Sequence, residues 1–104
     1  MGENQGGYML TGKQKRYLRG LASLLNPVAI VGKEGFTPEV IQEIRTGLKA
    51  NELVKIKIGK NSPEDMLKIT ALIDGNINAE IVQKIGRNIV LFKSKGKETK
   101  YKLP

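Results

Sequence analysis

Two glycines three residues apart, in Gly32-Lys33-Glu34-Gly35, form the stretch of this sequence with the clearest capacity for chemistry. Lacking a Cβ, glycine reaches positive φ and lets backbone N–H groups come close to a bulky anion. The loop stands between an apolar run, Val28-Ala29-Ile30-Val31, and Thr37-Pro38-Glu39-Val40-Ile41, which reads as a helix start. Thr37 suits the N-cap, Pro38 the first helical position, and Glu39 the positive end of the helix dipole. Phe36 and Ile41 occupy the two positions of a hydrophobic staple. A phosphate fits such a strand, loop and helix N-terminus. A plain strand-to-helix turn would use the same residues, and the motif alone leaves both readings open. Glu34 is acidic, so the electrostatic part of an anion site rests on Lys33 and the backbone amides.

Composition favours the anion reading. Among 104 residues, 18 Lys and Arg face 10 Asp and Glu, a net charge of +8 that points to a polyanionic partner. Aromatic residues make up only 5%, which argues against a surface built mainly of base-stacking rings and for contacts to a phosphate backbone. Histidine and cysteine are both absent. That removes thiol nucleophiles, disulfides, histidine acid/base pairs and nearly every transition-metal site, so no cofactor is expected. The glycine loop spells neither G-x-x-x-x-G-K-[ST] nor G-x-G-x-x-G, and Glu39 with Glu43 reads as a solvated helix face before a Mg²⁺ site. No apolar run approaches the ~20 residues of a bilayer span, which leads to the expectation of a cytoplasmic protein with no membrane partner.

The elements that must hold the loop are readable in order. Residues 1–8 carry little to bury and are expected to be a disordered N-terminal segment. Thr11-Gly12-Lys13-Gln14 is a T-x-x-Q capping box that opens a helix to about Leu25, stopped by Asn26-Pro27. At ~100° per residue, Tyr17, Leu18, Leu21, Ala22, Leu24 and Leu25 project to one side, Lys15, Arg16 and Arg19 to the other, with Lys13 at the border. No acid lies between Leu10 and Lys33 to pair with those cations. Val40, Ile41, Ile44 and Leu48 give the second helix its apolar stripe, and the helix ends near Ala50-Asn51. Leu53 to Ile58 alternates, with Val54, Ile56 and Ile58 inward and Lys55 and Lys57 on a basic outer face. Ser62 as N-cap and Pro63 at the first position predict a third helix with Met66, Ile69, Leu72 and Ile73 buried, stopped by Asp74-Gly75-Asn76. Residues 79–85 and 89–92 read as an antiparallel hairpin around Gly86-Arg87-Asn88. From Lys93 the chain carries five lysines and one glutamate, fitted equally to a solubilising tail and to a phosphate backbone. The order α-β-α-β-α-β-β predicts one α/β domain, a two-layer sandwich.

Four ordered blocks carry a further likeness: Leu10-Thr11-Gly12-Lys13-Gln14-Lys15-Arg16-Tyr17-Leu18-Arg19, Val31-Gly32-Lys33-Glu34-Gly35-Phe36-Thr37, Asn51-Glu52-Leu53-Val54-Lys55-Ile56, and Ile85-Gly86-Arg87-Asn88-Ile89-Val90-Leu91-Phe92. The sequence resembles the CRM (chloroplast RNA splicing and ribosome maturation) domain in its small bacterial YhbY-like form, over residues 9–93, with a basic tail at 94–104. It departs from the usual pattern at Asn51, where that family has histidine, and at Phe92-Lys93, where it has Tyr-Arg. The resemblance implies a mixed four-stranded sheet, like that of the C-terminal domain of translation initiation factor three, with a KH-like GxxG loop. It implies RNA binding without catalysis, on precursors of the large ribosomal subunit for bacterial members and on group II introns for plant ones. The RNA-contacting residues are then expected to be Gly32, Lys33, Glu34, Gly35 and Thr37 at the loop, Lys13, Lys15, Arg16 and Arg19 on the first helix, and Lys55, Lys57 and Arg87 on the sheet and its hairpin. A monomer acting on precursor ribosomal RNA is the leading expectation, with a splicing or RNA-chaperone module, or a basic protein-interaction adaptor, as the alternatives.

Overall fold

A computed structural model describes residues 10–95 and 103–104. The N-terminal segment and most of the basic tail therefore lie outside the described residues. Seven elements follow in the expected order: α1 (Gly12–Ala22), β1 (Ala29–Val31), α2 (Pro38–Asn51), β2 (Leu53–Ile58), α3 (Met66–Asn76), β3 (Glu80–Ile85) and β4 (Asn88–Phe92). The strands form one mixed sheet in the order β1-β2-β4-β3. β1 and β2 run parallel, as a strand-helix-strand unit requires, and the other pairs are antiparallel.

The sheet is covered unequally. α2 and α3 pack on one face over Ala29, Val31, Val54, Ile56, Ile58, Ile89 and Leu91, to which they contribute Ile44, Leu48, Ile69 and Ile73. These are the two layers that the apolar alternation of β2 predicts. α1 goes to the opposite face and adds a partial third layer to the expected two-layer sandwich; there Leu18 and Ala22 meet Leu53, Val82, Val90 and Phe92. The reason lies in the strands themselves: Leu53 in β2 and Val90 and Phe92 in β4 point away from the main core, and need their own cover. α1 is too short to roof the whole face, and this decides where the polar half of that face opens.

Three local details differ from the sequence reading. α1 ends at Ala22, with Ser23 as its C-cap. The helix thus stops short of Leu25, which still packs half-buried against the α1-side core, whereas Leu24 is 85% exposed and Tyr17 41% exposed. α3 begins at Met66 with Asp65 as N-cap, its carboxylate accepting the Lys68 N–H at 2.9 Å. The expected start at Ser62-Pro63 loses to Asp65, because Ser62 closes a local turn instead: its hydroxyl donates to the Glu64 carbonyl at 2.8 Å and accepts the Glu64 N–H at 3.2 Å. The last residues also pack. Leu103 lies against the α1-side core, and the Pro104 carbonyl accepts a hydrogen bond from the Gln14 side chain at 3.2 Å.

The end of α2 holds a residue that composition hides. Glu52 follows the helix at φ 66°, a left-handed backbone that costs a non-glycine residue ~1–2 kcal/mol. It is buried, its N–H donates to the Leu48 carbonyl at 2.9 Å, its carbonyl accepts the Lys93 N–H at 2.8 Å, and its carboxylate accepts the Lys95 N–H at 2.7 Å. These bonds offset the strain and tie the chain leaving β4 to the start of β2.

Candidate nucleic-acid interface

The glycine loop closes β1 and starts α2 as its residues suggest. Thr37 caps α2, its hydroxyl accepting the Val40 N–H at 3.2 Å, with Pro38 as the first helical residue. The two glycines do different work. Gly35 is buried at φ +83°, and a Cβ there would stand 2.8 Å from a Glu64 carboxylate oxygen. Gly32 has neither a positive φ nor any atom within 4 Å of where a Cβ would be. The fold needs glycine at position 35 and leaves position 32 open to solvent.

Glu64 is the residue that sequence reasoning missed. Its carboxylate crosses from the segment before α3 and accepts the Phe36 N–H at 3.2 Å. Gly35 donates its N–H to the Gly32 carbonyl at 3.0 Å, and Thr37 donates to the Gly35 carbonyl at 3.0 Å. The base of the loop is therefore already satisfied from within, and part of it by an anion. This narrows the expected phosphate cradle: the N–H groups of Gly32, Lys33 and Glu34 are the loop amides without a partner among the described residues, and Lys33 and Glu34 are exposed at the tip. The signal for Glu64 was an acid between Pro63 and a second acid, Asp65, indistinguishable in sequence from a first-turn helix acid.

The basic residues divide into two groups. Val31, which leads into the loop, pairs with Ile58, and its carbonyl accepts the Gly59 N–H at 2.8 Å. The Ile58 N–H in turn donates to the Arg87 carbonyl at 2.7 Å, so Arg87, Lys57 and the glycine loop share one end of the sheet. Arg19 reaches the same region from α1, lining with Lys55, Gln83, Asn88 and Val90 a cleft of about 410 Å³ beside the helix. Lys13, Lys15 and Arg16 lie toward the other end of α1. There Lys15 stands 3.9 Å from Glu80 at the start of β3, so the absence of nearby acids in sequence does not carry over to space. Arg16 and Lys13 are exposed, whereas Lys15 and Arg19 are half-buried at the helix border.

A second cationic area lies at the opposite end of the sheet. Arg45, Lys49, Lys93 and Lys95 line a groove of about 810 Å³ between the end of α2 and the segment after β4. The Arg45 guanidinium donates to the Asn76 carbonyl at 2.7 Å, which fixes its direction. Among the described residues no three of His, Cys, Asp and Glu are grouped as a metal ion requires, and no helix is long and apolar enough to cross a membrane.

A small basic α/β domain with its cations gathered around a half-covered sheet and a glycine loop is the architecture of a polyanion-binding module. The chain belongs to the CRS1/YhbY (CRM) domain family, whose model matches residues 10–93. It is 41% identical over 97 residues to "Probable RNA-binding protein YqeI" of Bacillus subtilis, covering 92% of this chain and 100% of that protein. It is 39% identical over 95 residues to a protein of Haemophilus influenzae named "RNA-binding protein", covering 91% of this chain and 95% of that one. Among solved structures, that of a Staphylococcus aureus hypothetical protein matches with a TM-score of 0.75 and 35% identity, over 92% of this chain and 100% of the other. The CRM resemblance read from the four sequence blocks is thus confirmed, together with the mixed four-stranded sheet that it implied and the three helices read from the residue pattern.

Proposed function

We propose that the protein is a non-catalytic, monomeric, cytoplasmic RNA-binding module that engages precursor ribosomal RNA during assembly of the large subunit. The observation that carries the RNA reading is the gathering of Arg19, Lys55, Lys57 and Arg87 beside the glycine loop, at the end of the sheet where α1 leaves one face open. The names of the relatives in Bacillus subtilis and Haemophilus influenzae support the same partner. In this reading Lys33 and the tip amides of the Gly32-to-Gly35 loop meet phosphate, Thr37 holds the helix start behind them, and Lys13, Lys15 and Arg16 extend the cationic track along α1. Such contacts neutralise phosphates and release counterions, so binding falls steeply as salt rises.

The test is crosslinking in cells followed by sequencing of the attached RNA. Enrichment of large-subunit precursor ribosomal RNA is the expected result; enrichment of introns or messenger RNA would replace the ribosomal assignment with a splicing or chaperone role. A purified protein whose RNA affinity does not change from about 50 to 200 mM salt would contradict the phosphate-based mechanism itself.

A further inference from the structure

The open half of the α1-side face has a regular composition of which phosphate binding uses only the lysines. Strand register aligns Ile30, Lys57, Asn88 and Ile85 in one row across all four strands, and Lys55, Val90 and Gln83 in the next. Ala29 and Val31 turn into the main core, so Ile30 between them faces the α1 side, where it is 60% exposed; Ile85 is 57% exposed. Two large aliphatic side chains thus stand uncovered at the two edges of a sheet, with an amide and a lysine between them. The side-chain amides of Gln83 and Asn88 have no hydrogen-bond partner among the described residues.

We propose that this face is a binding platform for unpaired nucleobases, deepening the RNA-binding reading on which it rests. Neighbouring strands are about 4.8 Å apart, so the four-strand row spans roughly 14 Å, comparable to the sheet surface on which other RNA-binding domains lay two or three bases. The flat faces of bases cover Ile30 and Ile85, removing apolar area from water. Gln83 and Asn88 each offer a donor and an acceptor to base edges. Arg19 lies at the margin, and Lys55 and Lys57 stand within the rows, where they meet the backbone of the same strand as it passes toward the glycine loop. A paired helix would hide its base edges from such a surface, so the partner is single-stranded.

Charge selects RNA over a second copy of this chain as the occupant. The two rows and the cleft beside them contain Arg19, Lys55 and Lys57 and no acid, and two molecules of net charge +8 joined through that face would set like charges against each other. Nucleic acid supplies both the negative charge and the flat apolar surface that the face lacks.

The experiment compares a short unpaired RNA of mixed sequence with an abasic ribose-phosphate chain of equal length and charge, by fluorescence anisotropy at fixed salt. The wild-type protein binds the base-bearing strand roughly five- to tenfold more tightly, the loss expected from one or two hydrogen bonds and their packing. The double variant Gln83→Ala, Asn88→Ala binds both strands alike and melts as wild type does, since both side chains are partly exposed and unbonded. Equal wild-type affinity for the two strands, or a preference retained by the double variant, overturns the platform while leaving phosphate binding intact. Failure to bind either strand instead overturns RNA binding as a whole. A concentration-dependent dimer, seen by sedimentation and abolished by Ile85→Ser, assigns the face to a second copy and overturns the proposal.

Discussion

Exchanging the two loop glycines for alanine, one at a time, separates what the fold needs from what the ligand needs. At Gly35 the backbone sits at φ +83°, where an L side chain costs ~1–2 kcal/mol. The new Cβ would also lie 2.8 Å from one Glu64 carboxylate oxygen and 3.2 Å from Pro63 Cγ, so the carboxylate must swing away and release the Phe36 N–H. Losing that part-buried bond adds about 1 kcal/mol, giving about 2–3 kcal/mol for Gly35→Ala. In a domain of this size that lowers Tm by roughly 10–20 °C. Gly32→Ala meets nothing within 4 Å at an ordinary backbone angle, so its Tm stays within a degree or two of wild type by the same scale. Its effect falls on RNA: a methyl group at the mouth of the loop holds phosphate away from the tip amides and loses about tenfold in affinity, the worth of one charge-assisted hydrogen bond. Thermal melting and an anisotropy titration on both variants decide the matter. A Gly32→Ala protein that binds RNA as wild type does, or a Gly35→Ala protein that melts unchanged, would refute the division of roles.

Two other perturbations follow from the same geometry. Lys33→Asp places a second acid at a tip that already carries Glu34, with Glu64 behind it; RNA affinity should fall strongly and the slope of log K against log salt should drop by about 1, with melting unchanged. Changing Lys15, Arg16 and Arg19 together to Gln should weaken RNA binding while costing only ~1 kcal/mol of stability, the scale of a partly exposed pair such as Lys15 with Glu80; undiminished binding would make that helix face merely solvated.

The parts of the fold legible in sequence are those governed by short-range rules. The capping box at Thr11 and Gln14, the N-cap and proline at the start of α2, and the alternation of Leu53 to Ile58 each express one local preference, and each stands where it was expected. What sequence did not reveal depends on long-range partners. The side of the sheet taken by α1 depends on Val90 and Phe92, far along the chain. Glu64 reaches a loop 28 residues away, and the left-handed Glu52 is held by the backbone of Lys95, 43 residues on. Composition gave the class of partner from net charge alone. The grouping of Arg19 and Lys55 in one cleft, and the distance of Arg45, Lys49, Lys93 and Lys95 from it, required the sheet to be assembled.

Amide chemical-shift mapping during titration with RNA tests most directly the claim that RNA lies across the glycine loop and the open half of the sheet. The expected shifts concentrate at Gly32 to Gly35, Arg19, Lys55, Lys57 and Arg87, with Gln83 and Asn88 following when the RNA is unpaired. Shifts confined to Arg45, Lys49, Lys93 and Lys95, with the glycine loop silent, would move the interface to the opposite end of the sheet and contradict the account.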